Sequence, residues 1–245
     1  ASGTTFHMAK SAGRTKTGLR AVASRTWLLV AQHMNTAVSL RGLYAITDER
    51  LLPGDLLLER AEAALSAGVA LLQYRNKLSN TAERLEQAKA LLALCRRYAT
   101  PLLINDDVAL CLAIDADGVH LGQSDSGLQQ ARERLGPNAI IGMTCHSDLA
   151  LARRAEENGA SYVAFGRFFP SVTKPHAIPT DIGILPIARA ALKIPIVAIG
   201  GINTENGGAL ITAGADMLAV IHNLFAFPDV DFRARELNSL FASSR

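Results

Sequence analysis

Eight times after residue 41, a short apolar run gives way to a segment with helical spacing. The apolar runs are residues 42–47, 69–74, 101–104, 118–121, 139–143, 161–166, 195–199 and 217–221. Runs this short and apolar are strand candidates. Between them lie residues 55–67, 81–98, 107–113, 128–135, 148–158, 182–192 and 206–213, and a last helical segment begins at Asp231. The periodicity is clearest from Thr81 to Tyr98, where Leu85, Ala88, Leu92 and Cys95 recur at intervals of three and four. Gly68, Gly136, Gly159 and Gly214 fall just past four of these segments, where a left-handed helix cap is needed. Ala-Gly-Val-Ala, Asn-Gly-Ala-Ser and Ala-Gly-Ala-Asp then mark the helix-to-strand turn of three units. Eight such pairs in about 200 residues predict a single (β/α)8 TIM barrel at the short end of that fold's range. A doubly wound sheet needs fewer strands and carries its glycine-rich turn after the first. Here the glycine pair, Gly200-Gly201, follows the seventh.

Residues 1–40 differ from the rest. They are basic, rich in Ser, Thr and Ala, and show no strand–helix alternation, so they are expected to lie outside the barrel of residues 41–245. Their composition fits an organellar transit peptide, an expression leader or an upstream in-frame extension, with Met34 a possible start of the compact domain. The net charge of +3 is set by this segment. Of the 25 bases and 22 acids, six bases and no acid fall in residues 1–47, leaving the remainder acidic by three. A mildly acidic domain gives no reason to expect nucleic-acid binding. No apolar run approaches the roughly 18 residues of a membrane span. Cys95, Cys111 and Cys145 are odd in number and form no paired motif, which fits a reduced, cytoplasmic setting without disulfides or structural zinc. Cys145-His146 is a poor nucleophile–base pair, because neighbours on a strand face opposite ways. A homo-oligomer is compatible with all of this.

In a barrel of this kind the site is built from the C-terminal strand ends and the loops after them. After the second predicted strand come Gln73, Arg75 and Lys77; if extended geometry holds, alternation puts all three on one side. That side then carries an amide able to read a heterocycle beside two cations able to grip phosphate. Asn105-Asp106-Asp107 follows the third strand, and Gly122-Gln123-Ser124-Asp125 the fourth. Asp106 and Asp125, on neighbouring strands, could share one hard cation, and two carboxylates match what Mg²⁺ takes alongside water and phosphate oxygens. Asp107 and Asp125 are equally suited to capping the helices that follow. Thr144 stands after the fifth strand and Ser171, Thr173 and Lys174 after the sixth. Gly200-Gly201 would let backbone N–H groups approach an anion, or simply permit a tight turn.

Taken in order, these stations resemble the thiamine phosphate synthase family over about 200 residues, from Leu43 to Ile221. The shared motifs are Leu43-Tyr44-Ala45-Ile46-Thr47-Asp48, Gln73-x-Arg75-x-Lys77, Asn105-Asp106, Gly118-Val119-His120-Leu121-Gly122-Gln123-x-Asp125, Gly142 to His146, Gly166 to Lys174, and Ala198-Ile199-Gly200-Gly201-Ile202. The resemblance implies coupling of hydroxymethylpyrimidine diphosphate to hydroxyethylthiazole phosphate, with Mg²⁺ and release of diphosphate. It implies that Gln73 and the Thr144 hydroxyl contact the pyrimidine, that Arg75, Lys77, Asn105 and Lys174 hold the diphosphate, and that Asp106 and Asp125 carry Mg²⁺. Ser171, Thr173 and the Gly201 backbone would hold the thiazole phosphate. No protein nucleophile is implied; Arg75, Lys77 and Lys174 act electrostatically.

Three departures stand out. Thr144 occupies a position where Ser is usual, and Ser171 one where Thr is common. Ile221-His222-Asn223 replaces a frequent Ile/Val-Ser pair, so the phosphate contact there rests on backbone N–H groups, with His222 either adding charge or merely packing. The alternatives are a thiazole tautomerase of the same fold, using His146 for proton transfer, and a catalytically silent binding protein. A tautomerase has no diphosphate to grip, and a silent relative loses metal ligands first. The sequence keeps both sets.

Overall fold

The computed structural model describes residues 1–3, 39–122, 127–173 and 178–242. The chain divides into two units, Ala1–Ser39 and Leu40–Arg245. Residues 4–38 lie outside the described residues, so most of the expected basic extension has no structural account. The same is true of Asp125 and Lys174.

The second unit is a closed, all-parallel barrel in the order β1 to β8. The strands are β1 (Gly42–Ile46), β2 (Leu71–Tyr74), β3 (Leu102–Asn105), β4 (Gly118–Leu121), β5 (Ile140–His146), β6 (Tyr162–Gly166), β7 (Ile196–Ile199) and β8 (Met217–Val220). Closure is made where Leu43 of β1 registers with Leu218 of β8. Helices α1 (Leu56–Ser66), α2 (Thr81–Arg97), α3 (Val108–Ile114), α4 (Leu128–Leu135), α5 (Leu149–Glu157), α6 (Ile184–Ala191) and α7 (Gly207–Thr212) follow the first seven strands. After β8 come a short α8 (His222–Phe225), which the sequence pattern does not foretell, and α9 (Val230–Ala242). Asn238 of α9 ties the last helix to β1 and to the end of α1: its Oδ1 accepts from Leu43 N at 3.3 Å, and its Nδ2 donates to Ala67 O at 3.0 Å. The four expected cap glycines have φ of +82° (Gly68), +82° (Gly136), +85° (Gly159) and +119° (Gly214), which a Cβ would penalise.

Alternation along each strand makes two cores. One set of side chains packs outward against the helices; the other fills the barrel with Tyr44, Ile46, Leu71, Leu103, Ile140, Tyr162, Ala164, Val197, Met217 and Ala219. A side chain at 142 would enter this interior. A Cβ there would fall 1.9 Å from Tyr162 Cζ and 2.2 Å from its Oη, so glycine is what leaves room for the tyrosine ring. β5 runs to His146, three residues past its expected end, with a register shift between Thr144 and His146. The extra residue re-aims the strand end, as bulges do. Cys145 is buried toward the helices while His146, at φ +53°, is exposed.

All three thiols are buried, and desolvation pushes each up to about 12. Their thiolate fraction at neutral pH is therefore negligible. The native chain should react very slowly with a thiol reagent at pH 8, and three thiols should titrate in denaturant. Rapid native labelling of Cys145 would show that the β5 end is open.

Candidate active site

The loops at the C-terminal ends of β1, β2 and β3 are stitched together by side chains. Thr47 Oγ1 accepts from Arg75 N at 2.9 Å and donates to Arg75 O at 3.3 Å, holding the residue after β2 against the residue after β1. The Arg75 guanidinium is half-buried and donates through Nη1 to Asp48 Oδ2 at 2.9 Å and Glu49 Oε2 at 3.5 Å. Its Nε and Nη2 donate to none of the described residues, so part of the fork remains for an anion.

The expected alternation of Gln73, Arg75 and Lys77 fails beyond Tyr74, where β2 ends. Asn76 turns the chain: its Oδ1 accepts from Leu78 N at 3.1 Å and Ser79 N at 3.0 Å. Gln73 consequently points into the barrel, Arg75 toward the β1 loop, and Lys77 toward β3. These are three different directions at one barrel end.

Lys77 Nζ meets Asp106 Oδ2 at 3.0 Å, and Asn105 Nδ2 meets the same oxygen at 2.6 Å. Asp106 holds a left-handed φ of +64°, a conformation enriched at functional sites, and its N–H donates to His120 O at 2.9 Å. Asp107 does what its alternative reading required. Its Oδ1 caps α3 by accepting from Leu110 N at 2.8 Å, and its Oδ2 accepts from Arg84 at 2.7 Å. Lys77, Asn105 and Asp106 line an open cleft of about 470 Å³ together with Arg84 and Arg134, two cations that sequence reasoning missed. Neither carries a local signal, since each sits on an ordinary amphipathic helix.

Inside the barrel, polar side chains form a continuous line. Gln73 Nε2 donates to Tyr44 Oη. Tyr44 Oη lies 2.8 Å from Tyr162 Oη, Tyr162 Oη lies 2.8 Å from His120 Nδ1, and His120 Nε2 lies 2.9 Å from Thr144 Oγ1. The two tyrosine rings meet edge-on at 5.8 Å, and the His120 and Tyr162 rings stack at 5.7 Å. Burial raises both phenol pKa values above the ordinary one, so both hydroxyls keep their protons. The sequence points to Gln73 and Thr144 and gives no role to Tyr44, Tyr162 and His120. The one available signal was their inward parity in otherwise apolar strands.

The other stations lie on the β6–β8 loops. Ser171 and Thr173 are half-buried after β6. The glycine pair has a packing reason: a Cβ on Gly200 would sit 2.3 Å from Arg167 Cβ, and one on Gly201 2.3 Å from Pro170 O. The β7 turn thus lies directly on the β6 loop. Ile221 precedes α8, and His222 packs its ring edge-on to Phe227 at 6.3 Å. Among the described residues, no three His, Cys, Asp or Glu side chains cluster as a ready-made metal site.

Residues 43–224 match the family model described as thiamine monophosphate synthase. A thiamine-phosphate synthase of Saccharophagus degradans is 55% identical over 199 residues, covering 81% of this chain and 92% of that protein. The thiamine-phosphate synthase of Alcanivorax borkumensis is 50% identical over 209 residues, covering 84% and 96%. Among solved structures, thiamine phosphate pyrophosphorylase from Pyrococcus furiosus superposes with a TM-score of 0.75 at 36% identity, covering 84% of this chain and 98% of that one. The barrel, its loop stations and these relatives agree: the chain belongs to the thiamine monophosphate synthase family of transferases.

Proposed function

We propose that the chain couples hydroxymethylpyrimidine diphosphate to hydroxyethylthiazole phosphate by dissociative displacement. The observation that carries this reading is the junction of two environments at one barrel end. A cleft holding Lys77, Asn105 and Asp106 lies after β2 and β3, and the line of polar side chains inside the barrel runs from the buried Gln73 amide to the half-buried Thr144 hydroxyl. A diphosphate suits the first and an aminopyrimidine the second. Diphosphate departs with the electron pair of the C–O bond, and the methylene cation left behind is conjugated with the aminopyrimidine. The thiazole nitrogen then supplies its lone pair to the new C–N bond. Arg75, Lys77 and Lys174 stabilise the charge developing on the leaving group, and preorganised charge of this kind usually contributes most to such a rate enhancement. Asn105 orients that group, while Ser171, Thr173 and the Gly201, Ile221 and His222 segment hold the thiazole phosphate.

Asp106 offers the cleft a partly open carboxylate with no thiolate in the lining, the hard-oxygen setting that Mg²⁺ takes. Asp106 and Asp125 would hold the ion, which supplies positive charge to the diphosphate oxygens when bound.

The test is direct: both phosphorylated substrates with Mg²⁺, followed by mass spectrometry for thiamine phosphate and by diphosphate release. One diphosphate per thiamine phosphate is expected. Thiazole isomerisation without coupling would overturn the reading. The segment before Leu40 supplies none of the residues invoked. A chain beginning at Met34 should therefore keep full activity and a melting temperature within a few degrees. Loss of folding on that truncation would move the domain boundary.

A further inference from the structure

We infer that Tyr44, Tyr162 and His120 are positioning residues forming a one-way donor chain that makes Thr144 a hydrogen-bond donor and Gln73 an acceptor toward the pyrimidine. The inference rests on the coupling reading above and deepens it.

The direction follows from proton counting along the line. The Gln73 Nε2 group has protons and no lone pair to offer, so Tyr44 Oη must accept from it. Tyr44 has one proton left to place, and Tyr162 Oη is 2.8 Å away. Were Tyr162 to donate toward Tyr44 instead, the Tyr44 proton would be stranded among Ile46, Leu71 and Leu103 in the barrel interior. Tyr44 therefore donates to Tyr162, and Tyr162 donates to His120 Nδ1 at 2.8 Å. An Nδ1 that accepts belongs to a neutral imidazole with its proton on Nε2. That proton goes to Thr144 Oγ1 at 2.9 Å. With a lone pair of Thr144 so engaged, its own hydroxyl proton is left to donate elsewhere.

The two ends now differ in kind. Gln73 has spent one N–H on the chain, which fixes which way its amide faces and leaves its carbonyl to accept; Thr144 has spent a lone pair and keeps its proton. An aminopyrimidine presents ring nitrogens that accept and an exocyclic amine that donates. The ends of the chain match that pair and mismatch the same ring carrying an oxo group. The protein has made room for this arrangement, since any side chain at 142 would collide with the Tyr162 hydroxyl. Tyr44, Tyr162 and Gln73 are all essentially inaccessible to water, which removes the competitor that would scramble the polarity.

The experiment uses the full chain labelled with ¹⁵N in its imidazoles, the His120 signals being assigned by their loss in His120→Asn. The expected result is a neutral His120 with the proton on Nε2. A proton on Nδ1, or an imidazolium, reverses or breaks the chain and overturns the inference. Tyr162→Phe and Tyr44→Phe should each lower kcat at least about tenfold through misplacement of the ring. The KM for the thiazole phosphate should stay unchanged in both variants, a split that general destabilisation would not produce. Calorimetry with the free hydroxymethylpyrimidine should show weaker binding to both variants. Unchanged kcat and pyrimidine affinity in both variants would overturn the positioning role even with the tautomer as expected. Should one variant fail to fold, the tautomer and the other variant still decide. Absence of thiamine phosphate with the unsubstituted chain is a failure of the coupling reading instead, distinct from any failure of the chain of donors.

Discussion

Arg75→Ala is expected to lower the coupling rate by about a hundredfold or more, whereas His146→Ala should leave most of it, since on the proposed reading only the former removes a cation that stabilises the leaving group. The local electrostatics sharpen the expectation. Nη1 of Arg75 holds Asp48 at 2.9 Å and Glu49 at 3.5 Å, both side chains being 10% exposed. Deleting the guanidinium uncovers two carboxylates at the barrel end proposed to take the diphosphate. The loss therefore combines missing attraction with new repulsion. Arg75→Lys restores the charge without the planar fork and should fall between the extremes. Because the variant leaves two poorly solvated carboxylates unpaired, its melting temperature should also drop, and rates must be measured well below it. His146 lies past the β5 register shift, exposed, and lines neither the cleft nor the barrel interior. A tautomerase would reverse the order, with His146 essential and Arg75 nearly idle. Initial rates of thiamine phosphate formation and of thiazole isomerisation, measured on both variants, separate the two chemistries. Full coupling by Arg75→Ala would remove the diphosphate role assigned to this residue.

How far the sequence reaches into this structure depends on the range of the interaction that places each residue. The eight strands and their order follow from local pattern: apolar runs of four to six residues, helical spacing between them, and glycines where φ must be positive. Strand-end residues such as Lys77, Asn105 and Asp106 were legible because the barrel puts strand ends together. The direction of each side chain was not. Alternation past Tyr74 assumed an extended chain, and the Asn76 side chain turns it by accepting from the N–H groups of residues 78 and 79. The end of β5 is not set by local pattern, because a register shift at Thr144–His146 depends on the neighbouring strand. Tyr44 and Tyr162 are 118 residues apart, and His120 and Thr144 are 24 apart. Nothing local announces that such residues share hydrogen bonds. A polar side chain at an inward position of a buried strand was the only trace. It is a usable one, because a buried hydroxyl or imidazole must find partners.

The carboxylates at the cleft give the most discriminating test, because the two readings of Asp106 predict opposite signs. Asp106→Asn is nearly isosteric, and asparagine tolerates the left-handed backbone that this position holds at φ +64°. Its amide oxygen can still accept from Lys77 and Asn105, which meet the carboxylate at 3.0 and 2.6 Å. What disappears is one negative charge. If Asp106 only orients Lys77, losing that charge frees the ammonium for the diphosphate, and substrate binding should hold or tighten. If Asp106 holds Mg²⁺ with Asp125, turnover should fall by about a hundredfold or more, roughly 3 kcal/mol of transition-state stabilisation. The Mg²⁺ concentration needed for half-maximal rate should rise as well. Asp125→Asn should behave in the same way, although that residue lies outside the described structure. Two carboxylates are too few for a tight all-protein magnesium site. Calorimetry should accordingly find weak Mg²⁺ binding to the free chain and much stronger binding when diphosphate is present. Near-normal rates in both variants with Mg²⁺ limiting, or tighter diphosphate binding by Asp106→Asn, would leave Asp106 as a lysine-orienting residue and remove the metal assignment.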